Sequence, residues 1–140
     1  MLVVLDTNVL MTALVIGQSA QAQLISSWRQ RKFDLLTCDV QLKELRDLMR
    51  QESISRLIRP ALAGEIVNQL KGMVICLKEI PYVPATASPV DNYLLGIAEG
   101  GKADALVVSD NAGLLRVMRS HGPCSIYGAT KFLALLLASK

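Results

Sequence analysis

The sequence predicts an α/β fold, a three-layer α/β/α sandwich around a central, twisted, mainly parallel sheet of four to five strands. Three observations carry that expectation. Leu2 to Leu5 is an apolar run without polar alternation, the pattern of a strand buried on both faces. Ala105 to Ser109 repeats the pattern late in the chain. Between such runs lie ten or more residues of helical pattern, which calls for parallel pairing through right-handed crossovers.

The elements follow in order. Val9 to Ile16 is strongly apolar and ends at Gly17, and Ser19 to Arg31 reads as a helix with Ala22, Leu24, Ile25 and Trp28 near one face. Phe33 to Thr37 is a short strand, and Thr37 or Asp39 caps a helix running to about Arg50. Ser53 to Arg59 forms a further helical turn, and Pro60 starts a helix that Gly72 stops. Met73 to Leu77 is a strand, followed by a loop through Pro81, Pro84 and Pro89. Ser88-Pro89 opens a helix that ends near Gly100-Gly101, and Thr130 to Ala138 closes the chain as a helix.

Composition sets the outer bounds. Of 140 residues, 51% are hydrophobic and only 4% aromatic, a profile of a compact α/β or helical domain and not of a disordered chain or β-sandwich. No repeat or linker divides residues 1–140, which read as a single domain. The net charge of +3 permits a nucleic-acid partner without requiring one. Cys38, Cys76 and Cys124 are widely spaced and odd in number, which suits buried, reduced thiols and neither a zinc site nor a disulfide framework. Asp6 interrupts the first apolar stretch too early for a signal peptide, and Phe132 to Leu137 is too short to span a membrane. The expectation is a soluble, cytoplasmic protein.

Four acids stand where chemistry would want them. Asp6 ends the first strand and is followed by Thr7 and Asn8; it either caps the next helix or offers a ligand at the carboxyl edge of the sheet. Glu44 projects from one edge of an apolar arc made by Val40, Leu42, Leu45, Leu48 and Met49, with Lys43, Arg46 and Asp47 on the watery side. It is either a rim glutamate that reaches solvent or a carboxylate awaiting compensation. Asp91 sits in a Ser-x-x-Asp pattern after Pro89, which suits reciprocal capping as well as a site. Asp110 repeats the logic of Asp6 at the end of the late strand, whereas Asp104 precedes that strand and belongs to the opposite edge. Carboxylates converging on one edge repel unless a cation is present. Oxygen donors without a His or Cys cluster suit Mg2+ or Mn2+, and such sites commonly hydrolyse phosphodiesters without a side-chain nucleophile.

Asp6-Thr7-Asn8, Glu44 in Leu42-Lys-Glu-Leu45, Asp91-Asn92, and Ala103-Asp-Ala-Leu-Val-Val-Ser-Asp110 together resemble the PIN domain, over essentially the whole chain. They look most like the bacterial, VapC-like PIN proteins that serve as toxins of toxin–antitoxin pairs. The resemblance implies a Mg2+- or Mn2+-dependent endoribonuclease. Asp6, Glu44, Asp91 and Asp110 would be its catalytic, metal-binding acids, and Thr7, Asn8 and Ser109 would orient them. It further implies an RNA substrate, an antitoxin protein as partner, and a dimer or higher oligomer. One departure from the family is that the acid often found two residues past the last aspartate is Ala112 here, which bears on a second metal.

RNA approaching an acidic pocket needs cations around it. Arg46, Arg50, Arg56 and Arg59 form the best cluster, with Lys43 and Lys102 as outliers, unless they are an ordinary solvated face. With so few aromatics, an extended base-stacking platform is not expected. His121, in Ser-His-Gly-Pro, reads as an exposed turn residue. The apolar face from Phe132 to Leu137 packs on the core or makes a dimer contact. The alternative to a nuclease is a catalytically weak or inactive PIN-like module that binds RNA or a protein. An aspartyl-phosphate enzyme fits worse, because Asn8 stands where a haloacid-dehalogenase-like pattern wants a second acid.

Overall fold

The structure, a computed structural model, describes residues 1–58 and 60–139. A six-stranded sheet forms its middle layer, in the order β3-β2-β1-β4-β6-β5. Strands β1 (Leu2–Leu5), β2 (Asp34–Cys38), β3 (Val74–Leu77), β4 (Ala105–Val108) and β6 (Cys124–Gly128) run parallel, and the two-residue β5 (Ser120–His121) returns antiparallel on β6. The helices are α1 (Thr7–Val15), α2 (Ala20–Arg29), α3 (Asp39–Arg50), α4 (Glu52–Ser55), α5 (Pro60–Met73), α6 (Pro89–Gly100), α7 (Leu114–Val117) and α8 (Ala129–Ala138).

Strand alternation sorts the core into two layers. Val3, Leu5, Leu35, Ala105 and Val107 face one side, where they meet Leu24 and Trp28 of α2, Leu45 of α3 and Phe132 of α8. Val4, Leu36, Leu106, Val108 and Ile126 face the other, under Leu94, Leu95 and Ile97 of α6. Both faces are dry, which explains why the inner strands carry unbroken apolar runs.

Several expectations change. The sheet exceeds the four to five strands anticipated because β6, with alternating burial, and the short β5 join its edge. They meet in a two-residue turn whose first member, Gly122, has φ +57°, a conformation that favours glycine. His121 is accordingly half-buried, with Nε2 3.3 Å from Glu99 Oε1, and is not an exposed turn residue. Helix α3 is capped by neither Thr37 nor Asp39: Cys38 is the N-cap residue and makes no side-chain capping bond, and the Thr37 hydroxyl is committed to Gln41. Helix α5 runs through Gly72 to Met73, as a glycine weakens a helix without necessarily ending it. Cys38 and Cys124 are buried, but Cys76 lies exposed on the edge strand β3, its thiol donating to Asp39 Oδ1 at 3.3 Å. Asp104 sits at the opposite edge from Asp6, accepting the Leu2 N–H at 2.8 Å. Helix α8 buries Phe132, Leu133 and Leu136 against the core and leaves Leu135 and Leu137 exposed.

Candidate active site

The Asp6 N–H donates to the Val107 carbonyl at 2.9 Å, extending the β1–β4 ladder by one bond before the chain turns into α1. Its side chain caps that helix, with Oδ1 accepting the Asn8 N–H at 3.3 Å. The residue is only 9% exposed. Burial raises the Asp6 pKa most; the Asn8 N–H opposes the rise, while the negative charges of Asp91 and Glu44 add to it. The charges of two other predicted acids, Glu44 on α3 and Asp91 on α6, thus reach Asp6 at the end of β1. Among the described residues the ion pairs are Arg29–Glu65, Arg56–Glu52 and His121–Glu99, so no side-chain cation in them neutralises this group.

At Asp91 only half of the reciprocal cap forms. Ser88 Oγ accepts the Asp91 N–H at 3.3 Å, but the Ser88 N–H donates to Thr86 Oγ1 at 3.1 Å and not to the Asp91 carboxylate. That carboxylate is left half-buried, and its charge reaches Asp6.

Glu44 is exposed, and so is Val40, which belongs to the same stripe. The inward face of α3 is set instead by Gln41 and Leu45, which rotates the stripe of Val40, Glu44 and Leu48 to the flank. Glu44 shares a shallow groove there with Lys43 and Asp47, so those two are not on an opposite face.

Asp110 behaves differently from the other three. Its Oδ1 accepts the Thr130 N–H at 2.9 Å and its Oδ2 accepts the Thr130 hydroxyl. The N-cap of α8 is Gly128, which has no side chain, so Asp110 caps that helix from another part of the chain. A Cβ on Gly128 would stand 2.7 Å from Asp110 Oδ1, which is why only glycine admits this approach.

The expected supporting residues take distinct parts. Thr7 is buried, and its Oγ1 accepts from Gln41 Nε2 at 3.4 Å. Asn8 holds Asp6 through its backbone N–H while its side chain is exposed. The Ser109 carbonyl accepts the Ala112 N–H at 2.9 Å, closing the turn after β4. The described arginines have different surroundings. Arg46 lines a groove between α3 and α5 with Asp39 and Lys71, Arg50 is exposed at the end of α3, and Arg56 is paired with Glu52. Arg59 lies outside the described residues, and exposed Lys102 lies near Asp104, at the far edge of the sheet.

Two residues beyond those predicted shape the site. Gln41 is 1% exposed and fully engaged: Nε2 donates to the Leu5 carbonyl at 2.7 Å, and Oε1 accepts the Thr37 hydroxyl at 2.6 Å. It thereby ties α3 and β2 to the last carbonyl before Asp6. Its position four residues before Leu45 was the available signal, a polar side chain on a buried stripe. Tyr93 places its hydroxyl against the Cys38 thiol; burial raises its pKa most, helped by that thiol and by the charge of Glu44.

The donor chemistry of Asp6, Glu44 and Asp91 fits a hard divalent cation, since all offer carboxylate oxygens and no side-chain cation among the described residues pairs with them. Among the described residues no three His, Cys, Asp or Glu side chains yet stand close enough to hold a metal together, so the carboxylates would have to draw in around one.

No curated protein and no solved structure matches the chain. Residues 2–112, from β1 past Asp110, do match the PIN domain. PIN domains are generally nucleases and typically use divalent metals. The chain belongs to the PIN domain family.

Proposed function

We propose that this PIN domain, taken as one unit over residues 1–140, is a Mg2+- or Mn2+-dependent endoribonuclease. We further propose that it is the toxin of a toxin–antitoxin pair, acting in the cytoplasm as a dimer or higher oligomer. The observation that carries the nuclease reading is the buried Asp6 carboxylate, pressed by the charges of Asp91 and Glu44 at the carboxyl edge of a parallel sheet. Partnership with an antitoxin is supported by the resemblance of the motifs to VapC-like proteins, and self-association by exposed Leu135 and Leu137.

Asp6, Asp91 and Glu44 would hold the cation, with Asp110 at the rim. When bound, the metal would polarise a water and offset charge on the leaving oxygen. The protein's own part is to fix the ligands. The Asn8 N–H orients Asp6, Gln41 anchors the carbonyl before it, and Ser88 sets the first turn that carries Asp91. Hydrolysis breaks one P–O ester bond, the water oxygen going to phosphorus and a proton to the departing oxygen.

The test is cleavage of a panel of single-stranded and hairpin RNAs with Mg2+ or Mn2+. Cutting should stop with chelator and in Asp6→Asn; equal cutting by that variant would assign the activity to a contaminant. A second reading, a module that binds RNA or a partner without cutting, is favoured by the engagement of Asp110 with Thr130. Metal-insensitive RNA binding with no cleavage of any panel member would select it.

A further inference from the structure

Beside Asp91 lies a groove of about 380 Å³ walled by Ile80, Pro81, Tyr82, Val83, Pro89 and Tyr93. Its size falls in the roughly 300–1,000 Å³ range of small-molecule sites. Its construction is specific. The segment 78–88 has no regular structure, yet it is clamped at two points. Pro81 lies on the face of α6 made by Gly96 and Gly100, where added Cβ atoms would stand 2.7 Å from the Pro81 carbonyl oxygen and 2.9 Å from its Cδ. Further along, Asn92 locks Thr86: Oδ1 accepts its N–H and its hydroxyl, both at 2.8 Å, and Nδ2 donates to its carbonyl at 2.9 Å.

Tyr82 is carried between those clamps and is 86% exposed. Of the chain's six aromatic residues, Trp28, Phe33, Phe132 and Tyr127 pack in or against the core on the opposite side of the sheet. Tyr82 and Tyr93 both stand at this groove. Tyr93 also joins it to the acids, since it follows Asp91 by two residues and its hydroxyl meets Cys38, the N-cap residue of the helix that carries Glu44.

Resting on the nuclease reading above, we propose that this groove is a single-base slot. It takes one unpaired RNA base next to the phosphodiester at Asp6 and Asp91, with Tyr82 as the stacking face. A flat base suits aromatic and proline walls, and stacking on one tyrosine tolerates any base identity. Pro89, Asn92 and Tyr93 line the groove from the first turns of α6, the same turns that carry Asp91, so a base held there lies against residues next in the chain to that acid. Rigid clamping lowers the ordering cost of capture.

The test measures binding of a short single-stranded RNA to the full chain carrying Asp6→Asn, by fluorescence anisotropy at fixed salt. A set of oligonucleotides, each abasic at a different position, is compared with the intact strand. One abasic position should weaken binding roughly 5- to 150-fold, and Tyr82→Ala should weaken binding of the intact strand by a similar factor. The two losses should not add, and Tyr82→Phe should bind as the parent does. Unchanged affinity in Tyr82→Ala overturns the slot and leaves the groove to a protein partner, and absence of binding by every oligonucleotide overturns it too. Cleavage by the unsubstituted chain is scored separately. Base-dependent binding without cleavage sinks the nuclease reading alone, and cleavage with Tyr82-independent binding sinks the slot alone.

Discussion

The Asp110 carboxylate accepts both the backbone N–H of Thr130, at 2.9 Å, and the Thr130 hydroxyl. An acid at the end of β4 thus stabilises the start of a helix twenty residues on. The capping duty seen here and the catalytic duty proposed above separate experimentally. Asp110→Ala should destabilise the metal-free protein by about 0.5–2 kcal/mol in urea unfolding, the usual cost of a lost cap. A metal ligand without the capping role would leave that stability unchanged or higher.

Asp6 should show the reverse sign. Its carboxyl has a raised pKa, so the folded state favours the protonated form. The cost of ionising it is absent below its unfolded pKa and fully present above its folded one. Asp6→Asn, which keeps an oxygen for the Asn8 N–H, should therefore raise Tm at pH 7 by a few degrees, with the gain fading toward pH 4. Adding Mn2+ should raise Tm for the parent protein and not for the variant. Equal Tm gains in both, followed by circular dichroism, would place the ion elsewhere.

Gln41 has every polar atom committed in a dry site. Gln41→Leu preserves much of the shape but strands the Leu5 carbonyl and the Thr37 hydroxyl. The expected loss is roughly 1–3 kcal/mol in denaturant unfolding. Cleavage should fall as well, because the main chain before Asp6 loses its tether. A neutral effect on both would show that the network is dispensable.

Lys102 follows α6 with φ +53°, and Arg31 follows α2 with φ +62°. Each sits where the closing bonds of a helix favour glycine: Ala103 N–H reaches the Ala98 carbonyl at 2.8 Å, and Lys32 N–H reaches that of Ser27 at 3.0 Å. Lys102→Gly should raise stability by up to about 1 kcal/mol, the relief of left-handed strain less the added freedom of the unfolded chain. Calorimetry of the single variant decides it.

The inner strands were legible because burial on both faces writes itself as an apolar run, as in Leu2 to Leu5. Ser88-Pro89 announced α6 correctly, since the N-cap and first-turn preferences are local. β6 was not legible: Ser125 and Tyr127 alternate with buried residues, and a loop reading of Ser-His-Gly-Pro absorbed the hairpin. The acids were found in the chain by strand ends, but their relations depend on how helices rotate. An apolar arc puts Glu44 on a semi-buried stripe, whereas the polar Gln41 holds the inward face. Asp110 resembles Asp6 in its place at a strand end, and nothing local signals its contact with Thr130.

The antiparallel return of β5 has a consequence for how molecules meet. It offers a visiting strand only two residues of bonding groups, oriented against the parallel grain of the sheet. That flank is blunted against edge-to-edge aggregation by its brevity, between Arg119 and the Gly122-Pro123 turn. Lengthening the return, by contrast, would hand neighbouring molecules a template on which to polymerise.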